Sequence, residues 1–198
     1  VGAALGSIEA TPTRLPDAYL GPSFSDKDCK RALATAGIKR HAPKDAVAKV
    51  AKLLAKSKVI GRFSGGMEWG PRALGNRSIL ARPHDPSIND WLNQRLSRSE
   101  FMPFAPVVRI EDAQQYFLGT DTALDAARFM TVCFPTTPSF QSQCPAAVHV
   151  DGTARPQLVD SQSNPSLHAL LGAVGELTGT PVLINTSFNL HEEPIVCT

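Results

Sequence analysis

The chain has 198 residues, 42% hydrophobic and 19% charged, with a net charge of +2. That length buries a core without disulfide or metal staples, and so small a charge argues against general affinity for nucleic acid or anionic membranes. Cys29, Cys133, Cys144 and Cys197 are scattered with no C-x-x-C pair, which excludes a disulfide scaffold and fits reduced thiols in a cytoplasmic protein. No apolar run is long enough to cross a bilayer.

Gly2–Glu9 is rich in Ala and Gly and reads as the end of a helix. Thr11–Phe24, with three prolines, reads as an extended linker. The first residue is not Met and the last follow a strand-like Pro194–Val196, so a piece of a longer protein is expected. Ser25 with Asp26 and Asp28 opens a helix that Gly37 stops. Asp45–Lys56 is an amphipathic helix with its lysines outward. Val59–Phe63 reads as a short buried strand and Ser78–Ala81 as another. Asp85 and Ser87 cap a helix over Ile88–Leu96, with positions 88, 91, 92 and 96 on one face. Pro103–Ile110 becomes a strand and Glu111–Phe117 a helix. A strand over Phe129–Phe134, a polar loop over Pro135–Pro145, and a hairpin from Val148 through Gly152 to Val159 follow. Asn164–Pro165 opens a helix over Ser166–Leu177 that Gly179 ends, and Pro181–Ile184 is an apolar strand. Helices alternating with short strands indicate an α/β (α+β) domain with a mixed twisted sheet.

Three polar clusters end predicted strands, where ligands bind in open α/β sheets. The first is Gly-Gly-Met-Glu-Trp-Gly-Pro-Arg-Ala-Leu-Gly-Asn-Arg-Ser, residues 65–78. Its glycines admit close backbone approach, and Arg72, Arg77, Asn76, Ser78 and the loop N–H groups suit a phosphate. A tight turn pinned by arginine pairs with Glu68 is the structural alternative. The spacing matches neither the Walker loop nor the dinucleotide fingerprint. The second cluster places His149, Asp151, Thr153 and Arg155 on alternate positions, one face of a strand, where burial demands a polar ligand or network. A plain His149–Asp151 hydrogen bond is its alternative. The third, Asn185, Ser187 and Asn189, offers donors and acceptors to a ribose, amide or phosphate. Arg95 and Arg98 end a helix, where cations also simply complement the dipole. No nucleophile system or metal spacing stands out, and the arginines favour catalysis by positioning and charge neutralisation.

These motifs, with Pro-Phe-Ala-Pro at 103–106 and His-Val-Asp-Gly-Thr-Ala-Arg at 149–155, resemble the C-terminal region of the NodU/CmcH-type O-carbamoyltransferases. The resemblance implies a YrdC-like open twisted mixed sheet flanked by helices over residues 25–198. It makes residues 1–24 the tail of a preceding domain and a linker. It implies formation of carbamoyl-adenylate from carbamoyl phosphate and ATP, with Mg²⁺ on the pyrophosphate. An N-terminal domain of the actin-like ATPase superfold, carrying iron, would then pass the carbamoyl group to an acceptor hydroxyl. Carried over, Arg72 and Arg77 would contact phosphate oxygens, supported by Asn76 and Ser78, with Arg98 beside them. His149, Asp151, Thr153 and Arg155 would line the carbamoyl pocket, and Asn185, Ser187 and Asn189 would serve the nucleotide. The chain departs from the family in Leu96-Ser97-Arg98-Ser99, which lacks a Lys and a Glu, and in Glu192, where a Gly is usual. A nucleotide- or RNA-binding module without catalysis, and a packing domain of a longer enzyme, are the alternative readings.

Overall fold

The computed structural model describes residues 15–97 and 104–198. The expected Gly2–Glu9 helix and Arg98 lie outside them. The chain runs through α1 (Asp26–Thr35), α2 (Ala46–Ala55), β1 (Ile60–Phe63), β2 (Arg77–Ala81) and α3 (Ser87–Arg95). It continues with β3 (Ala105–Arg109), α4 (Ala113–Tyr116), α5 (Leu124–Ala127), β4 (Phe134–Pro135) and α6 (Pro138–Gln143), then β5 (Thr153–Ala154), β6 (Gln157–Val159), α7 (Pro165–Thr178) and β7 (Val182–Ser187). Five strands form one open sheet in the order β1-β2-β7-β3-β6, and β4 pairs with β5. Only β3 and β6 run parallel in the sheet, so it is mixed.

Helix ends follow local chemistry. Ser25 and Asp28 form a reciprocal capping box on α1, and Asp45 accepts from the Ala48 N–H at the start of α2. Asn164 caps α7 with Pro165 in its first turn, and Gly179 closes it at φ +76°. The start of α3 differs: Pro86 holds the cap position, and Asp85 instead accepts from the Ser87 N–H at 2.9 Å. Its Leu92 and the following Leu96 are buried, whereas Trp91 is 44% exposed.

Both sheet faces are covered. Leu80, Val107, Val159 and Leu183 pack beneath Ala51 and Leu54 of α2 and Leu167, Leu170, Leu171 and Val174 of α7. On the reverse face Ile79, Ala81 and Ile184 meet α3, while Val108, Leu158 and Val182 meet α4 to α6 around Tyr116, Phe117 and Phe140. Cross-strand partners share a face. Asn185 lies between Leu80 and Ala105, and Ser187 is opposite Ser78, so the α7 face turns polar towards the C-terminal end of β7.

Three expectations fail between Phe129 and Val159. The strand over Phe129–Phe134 shrinks to Phe134–Pro135, because Met130 adopts φ +55° and Thr131 donates back to the Ala126 carbonyl at the end of α5. The polar loop over Pro135–Pro145 contains α6, which Thr137 caps ahead of Pro138. The Val148–Val159 hairpin does not form. Its turn closes, with the Gly152 N–H donating to the His149 carbonyl, but β5 pairs with β4 and β6 pairs with β3. Pro156 between them has no N–H to contribute to a ladder.

The expected linker is docked onto the domain where it is described. Gly21 and Pro22 exchange backbone bonds with Met67, and the Trp69 N–H donates to the Ala18 carbonyl at 2.7 Å. Arg128, buried, donates to the Leu15 and Pro16 carbonyls and pairs with Asp160 at 3.0 Å.

Gly75 ties the glycine-rich segment to α7. It sits at φ +108°, and a Cβ there would lie 2.4 Å from Leu167 Cδ2. Gly75→Ala is expected to destabilise the fold by about 2–3 kcal/mol, seen as a lower urea midpoint at unchanged m value.

Candidate functional site

The segment between β1 and β2 does hold an oxyanion, but it is the protein's own. Glu68 is 4% exposed, and its Oε1 accepts from the backbone N–H groups of Leu74, Asn76 and Arg77 at 2.7, 2.6 and 3.1 Å. Three of the backbone donors expected to meet a phosphate are thereby consumed inside the loop. The structural alternative is right about Glu68 and wrong about its partner, which is backbone rather than arginine.

Arg77 is the counterpart. It is fully buried, and its guanidinium donates to the carbonyls of Ser64 (2.8 Å), Asn76 (3.0 Å) and Pro22 (3.2 Å) and lies 3.7 Å from the Phe63 ring centroid. Asn76 donates to the Gly66 carbonyl and accepts from Asn164, while the Ser78 hydroxyl accepts from the Gly75 N–H. These three residues shape the loop and do not line the cavity beside it. Their expected phosphate contacts are corrected on that ground: the Arg77 terminal nitrogens, the Asn76 amide and the Ser78 hydroxyl bond to the backbone or to the α7 cap, and the unpaired Arg77 Nε is buried away from the cavity lining.

That cavity, of about 310 Å³, is bounded by Arg72, Ala73, Phe104, Ala105, Met130, Cys133, His149, Arg155, Asn185 and Ser187, with Pro71, Asn93 and Thr186. It unites members of all three sequence clusters, and among the described residues no carboxylate lines it. Arg72 projects from the arch between Glu68 and Leu74 and is exposed. Arg155 follows β5, and its Nε is buried without a partner. Burial lowers the Arg155 pKa, and the like charge of Arg72 lowers it further, while Cys133 opposes both. Among the described residues neither guanidinium has an ion-pair partner.

His149, Asp151 and Thr153 are brought together by a turn rather than along a strand face. The Thr153 hydroxyl donates to Asp151 Oδ1 at 2.7 Å, and His149 Nδ1 lies 2.9 Å from the same hydroxyl. Bonds from the Thr153 hydroxyl and N–H hold the Asp151 carboxyl below its usual range, so Asp151 only accepts. The hydroxyl proton is thereby spent, Nδ1 of His149 carries the hydrogen, and Nε2 is left as an acceptor. Burial holds the His149 pKa below its ordinary 6.5, against Asp151 and with Arg155. Asp151 and Thr153 do not line the cavity; they orient a residue that does.

At the third cluster Asn185 and Ser187 reach the cavity wall. Asn189 sits one step back, accepting from the Ser187 hydroxyl at 2.6 Å and donating to the Glu193 carbonyl. Glu192 is exposed and away from the cavity, at φ +66°; that left-handed backbone is a physical reason for a glycine in relatives. The sequence reading missed Gln157, which donates to the Leu74 carbonyl at 2.6 Å. It also missed Tyr19, whose hydroxyl donates to the same carbonyl, accepts from Asn164, and is raised by burial to about 12. A buried amide following Arg155 across one proline was the available signal for Gln157.

Residues 51–198 match the family described as carbamoyltransferase C-terminus. The chain belongs to that family. It is 39% identical over 187 residues to nodulation protein NolNO of Sinorhizobium fredii, covering 92% of this chain and 27% of that protein. It is 36% identical over 195 residues to nodulation protein U of Rhizobium fredii, covering 96% and 32%. The chain thus spans about a third of the length of these carbamoyltransferase-family relatives. Among solved structures, HypF from T. kodakarensis aligns with a TM-score of 0.54 at 16% identity, over 80% of this chain and 19% of that one. Full-length HypF in the phosphate- and nucleotide-bound form aligns at 0.51 and 17%, with the same coverage. These likenesses show the fold, a YrdC-like mixed sheet flanked by helices. No helix among the described residues is long and apolar enough to cross a membrane, and no three of their His, Cys, Asp or Glu side chains converge as a metal site.

The two arginines of the glycine-rich segment are expected to separate cleanly by mutation. Arg77→Ala removes a buried guanidinium bonded to the carbonyls of Ser64, Asn76 and Pro22 and should cost about 2–4 kcal/mol of stability. Arg72→Ala should stay within about 0.5 kcal/mol of the parent yet weaken phosphate-ligand binding at least about tenfold in calorimetry.

Proposed function

We propose that this chain is the portion of an O-carbamoyltransferase that makes carbamoyl-adenylate from carbamoyl phosphate and ATP, for transfer to an acceptor hydroxyl by the preceding part of the polypeptide. The observation that carries this reading is the pairing of Arg72 with Arg155 on a cavity that no carboxylate lines among the described residues. The half-buried Arg155 guanidinium is repelled by the like charge of the exposed Arg72, and a polyanionic ligand is what relieves the two. The family membership supplies the carbamoyl group. The phosphate- and nucleotide-bound HypF, with the same fold, supports a nucleotide as the second substrate.

In this reading Arg72 and Arg155 hold phosphoryl oxygens and neutralise charge that develops as bonds to phosphorus change. Water splits carbamoyl phosphate into carbamate and phosphate, with His149 Nε2 taking the proton released. A carbamate oxygen then attacks the α-phosphorus of ATP and pyrophosphate leaves. Asp151 and Thr153 keep Nε2 free of hydrogen, and Ser187 and Asn185 supply neutral polar edges. Magnesium would fit this wall as an ion brought in with the polyphosphate, because among the described residues no lining side chain is a carboxylate. Its contribution when bound is to neutralise the leaving pyrophosphate.

The test is incubation of the full chain with ATP and carbamoyl phosphate, with mass spectrometry for carbamoyl-adenylate. Arg155→Ala should lower its formation at least about 100-fold; an unchanged rate overturns the assignment. The pH profile carries a sign. Because the fold holds the His149 pKa below 6.5, the base is free at pH 7. The rate should be flat there and fall about tenfold per unit only below that depressed pKa. Thr153→Val, which frees Nδ1, should lower the plateau in pyrophosphate-release assays.

A further inference from the structure

Asn185 is 2% exposed, lies in the cavity wall, and has an amide whose orientation the surrounding bonds determine. Gln157 Nε2 donates to the Leu74 carbonyl at 2.6 Å. A carbonyl only accepts, so Gln157 Oε1 is turned the other way and requires a donor. Asn185 Nδ2 is that donor at 2.6 Å, and it also donates to the Ala73 carbonyl at 3.1 Å. Both amide hydrogens are spent. Oδ1 is left buried with no partner.

An orphaned buried acceptor in a native fold demands an explanation, since leaving it unpaired is unfavourable. The neighbouring network cannot supply a donor, because flipping the amide would set oxygen against Gln157 Oε1 and the Ala73 carbonyl. A ligand can. The same wall presents Arg72 and Arg155, so the fitting ligand carries anionic oxygens and, close to them, an N–H.

We infer that Asn185, locked by Gln157, is the residue that selects a carbamoyl group by accepting a hydrogen bond from its NH₂. The inference rests on carbamoyl phosphate being a ligand of this cavity. It adds to that reading a specificity device: acetyl phosphate has nearly the same shape and charge, but puts a methyl group where the N–H would be. A site built to bond an N–H rejects the analogue lacking it, because its own polar atom stays unpaired.

The experiment uses the full chain and two probes, carbamoyl phosphate and acetyl phosphate, each titrated by calorimetry with ATP binding measured alongside. The parent protein should prefer carbamoyl phosphate by at least about 100-fold. Near-equal binding of the two probes overturns the inference without any variant being made. Asn185→Leu should bring the preference below about tenfold in protein that still binds ATP. Gln157→Leu, which leaves Asn185 in place but frees its amide to flip, should narrow the preference partway. A preference that survives in Asn185→Leu overturns the inference, and so does loss of ATP binding with the preference intact, which would place the missing donor on the nucleotide. Parent protein that binds neither probe nor ATP instead overturns the proposed function itself.

Discussion

The site depends on how one carboxylate is buried. Among the described residues Glu68 has no arginine or lysine at hydrogen-bond distance; three backbone N–H groups converge on its Oε1. Charge-assisted bonds of this kind are about twice as strong as neutral ones, and together they fold residues 68–77 into an arch. Arg77 does the converse with carbonyl oxygens. The segment therefore turns its backbone dipoles inward, N–H to an internal anion and C=O to an internal cation. Each charge is neutralised by peptide groups, which are fixed in place and need no partner side chain to remain ordered.

Two consequences follow for function. The arch is rigid, so Arg72 at its crest is presented from a fixed base although its own side chain is exposed. The arch also spends the Leu74, Asn76 and Arg77 N–H groups on Glu68, so full positive charge for an anion in the adjoining cavity comes from side chains. Arg72 and Arg155 are the ones available, from segments more than eighty residues apart. The carbonyls of Ala73 and Leu74 face the other way, onto the polar end of β7 and β6, where Asn185 and Gln157 take them up. The arch thus does two jobs at once. Its crest carries charge, and its underside orients the amide ladder.

What the sequence made legible was local. The cap at Ser25, the opening at Asn164–Pro165 and the stop at Gly179 depend on residues within a turn of one another, and they stand where the pattern places them. The mixed sheet and the clustering of polar residues at strand ends were legible for the same reason. Arg72 and Arg77 were not distinguishable, because both sit in one glycine-rich frame. What separates them is the pairing of Phe63 with Arg77 across β1 and β2, a non-local contact that buries one guanidinium over an aromatic ring. The false hairpin at 148–159 has a similar origin. A Gly152 turn is visible locally, but Pro156 diverts the chain, and the partners of its two halves lie at Phe134–Pro135 and Val107–Arg109. His149 and Thr153 were correctly grouped on a wrong geometry, since alternation along a strand and closure of a tight turn both bring positions 149 and 153 together.

The features that stayed hidden share a thermodynamic character. The unpartnered Arg155 Nε, the unpaired Asn185 Oδ1 and the facing guanidiniums are each unfavourable in the ligand-free fold. Sequence rules describe arrangements that satisfy themselves, and here satisfaction is withheld. Glu68 could have been placed to pair with Arg72, and Gln157 with a carboxylate; instead Glu68 Oε1 is bonded by the backbone and Gln157 by a carbonyl and another amide. The surplus of donors on one side of the cavity and of an acceptor on the other is then a complement to something that is not protein. Stability given up at such positions returns on binding, since a ligand that meets them favours the folded state by mass action. The arch around Glu68 makes this tolerable: with its own charges internally neutralised, the loop that carries Arg72 does not need the ligand in order to fold.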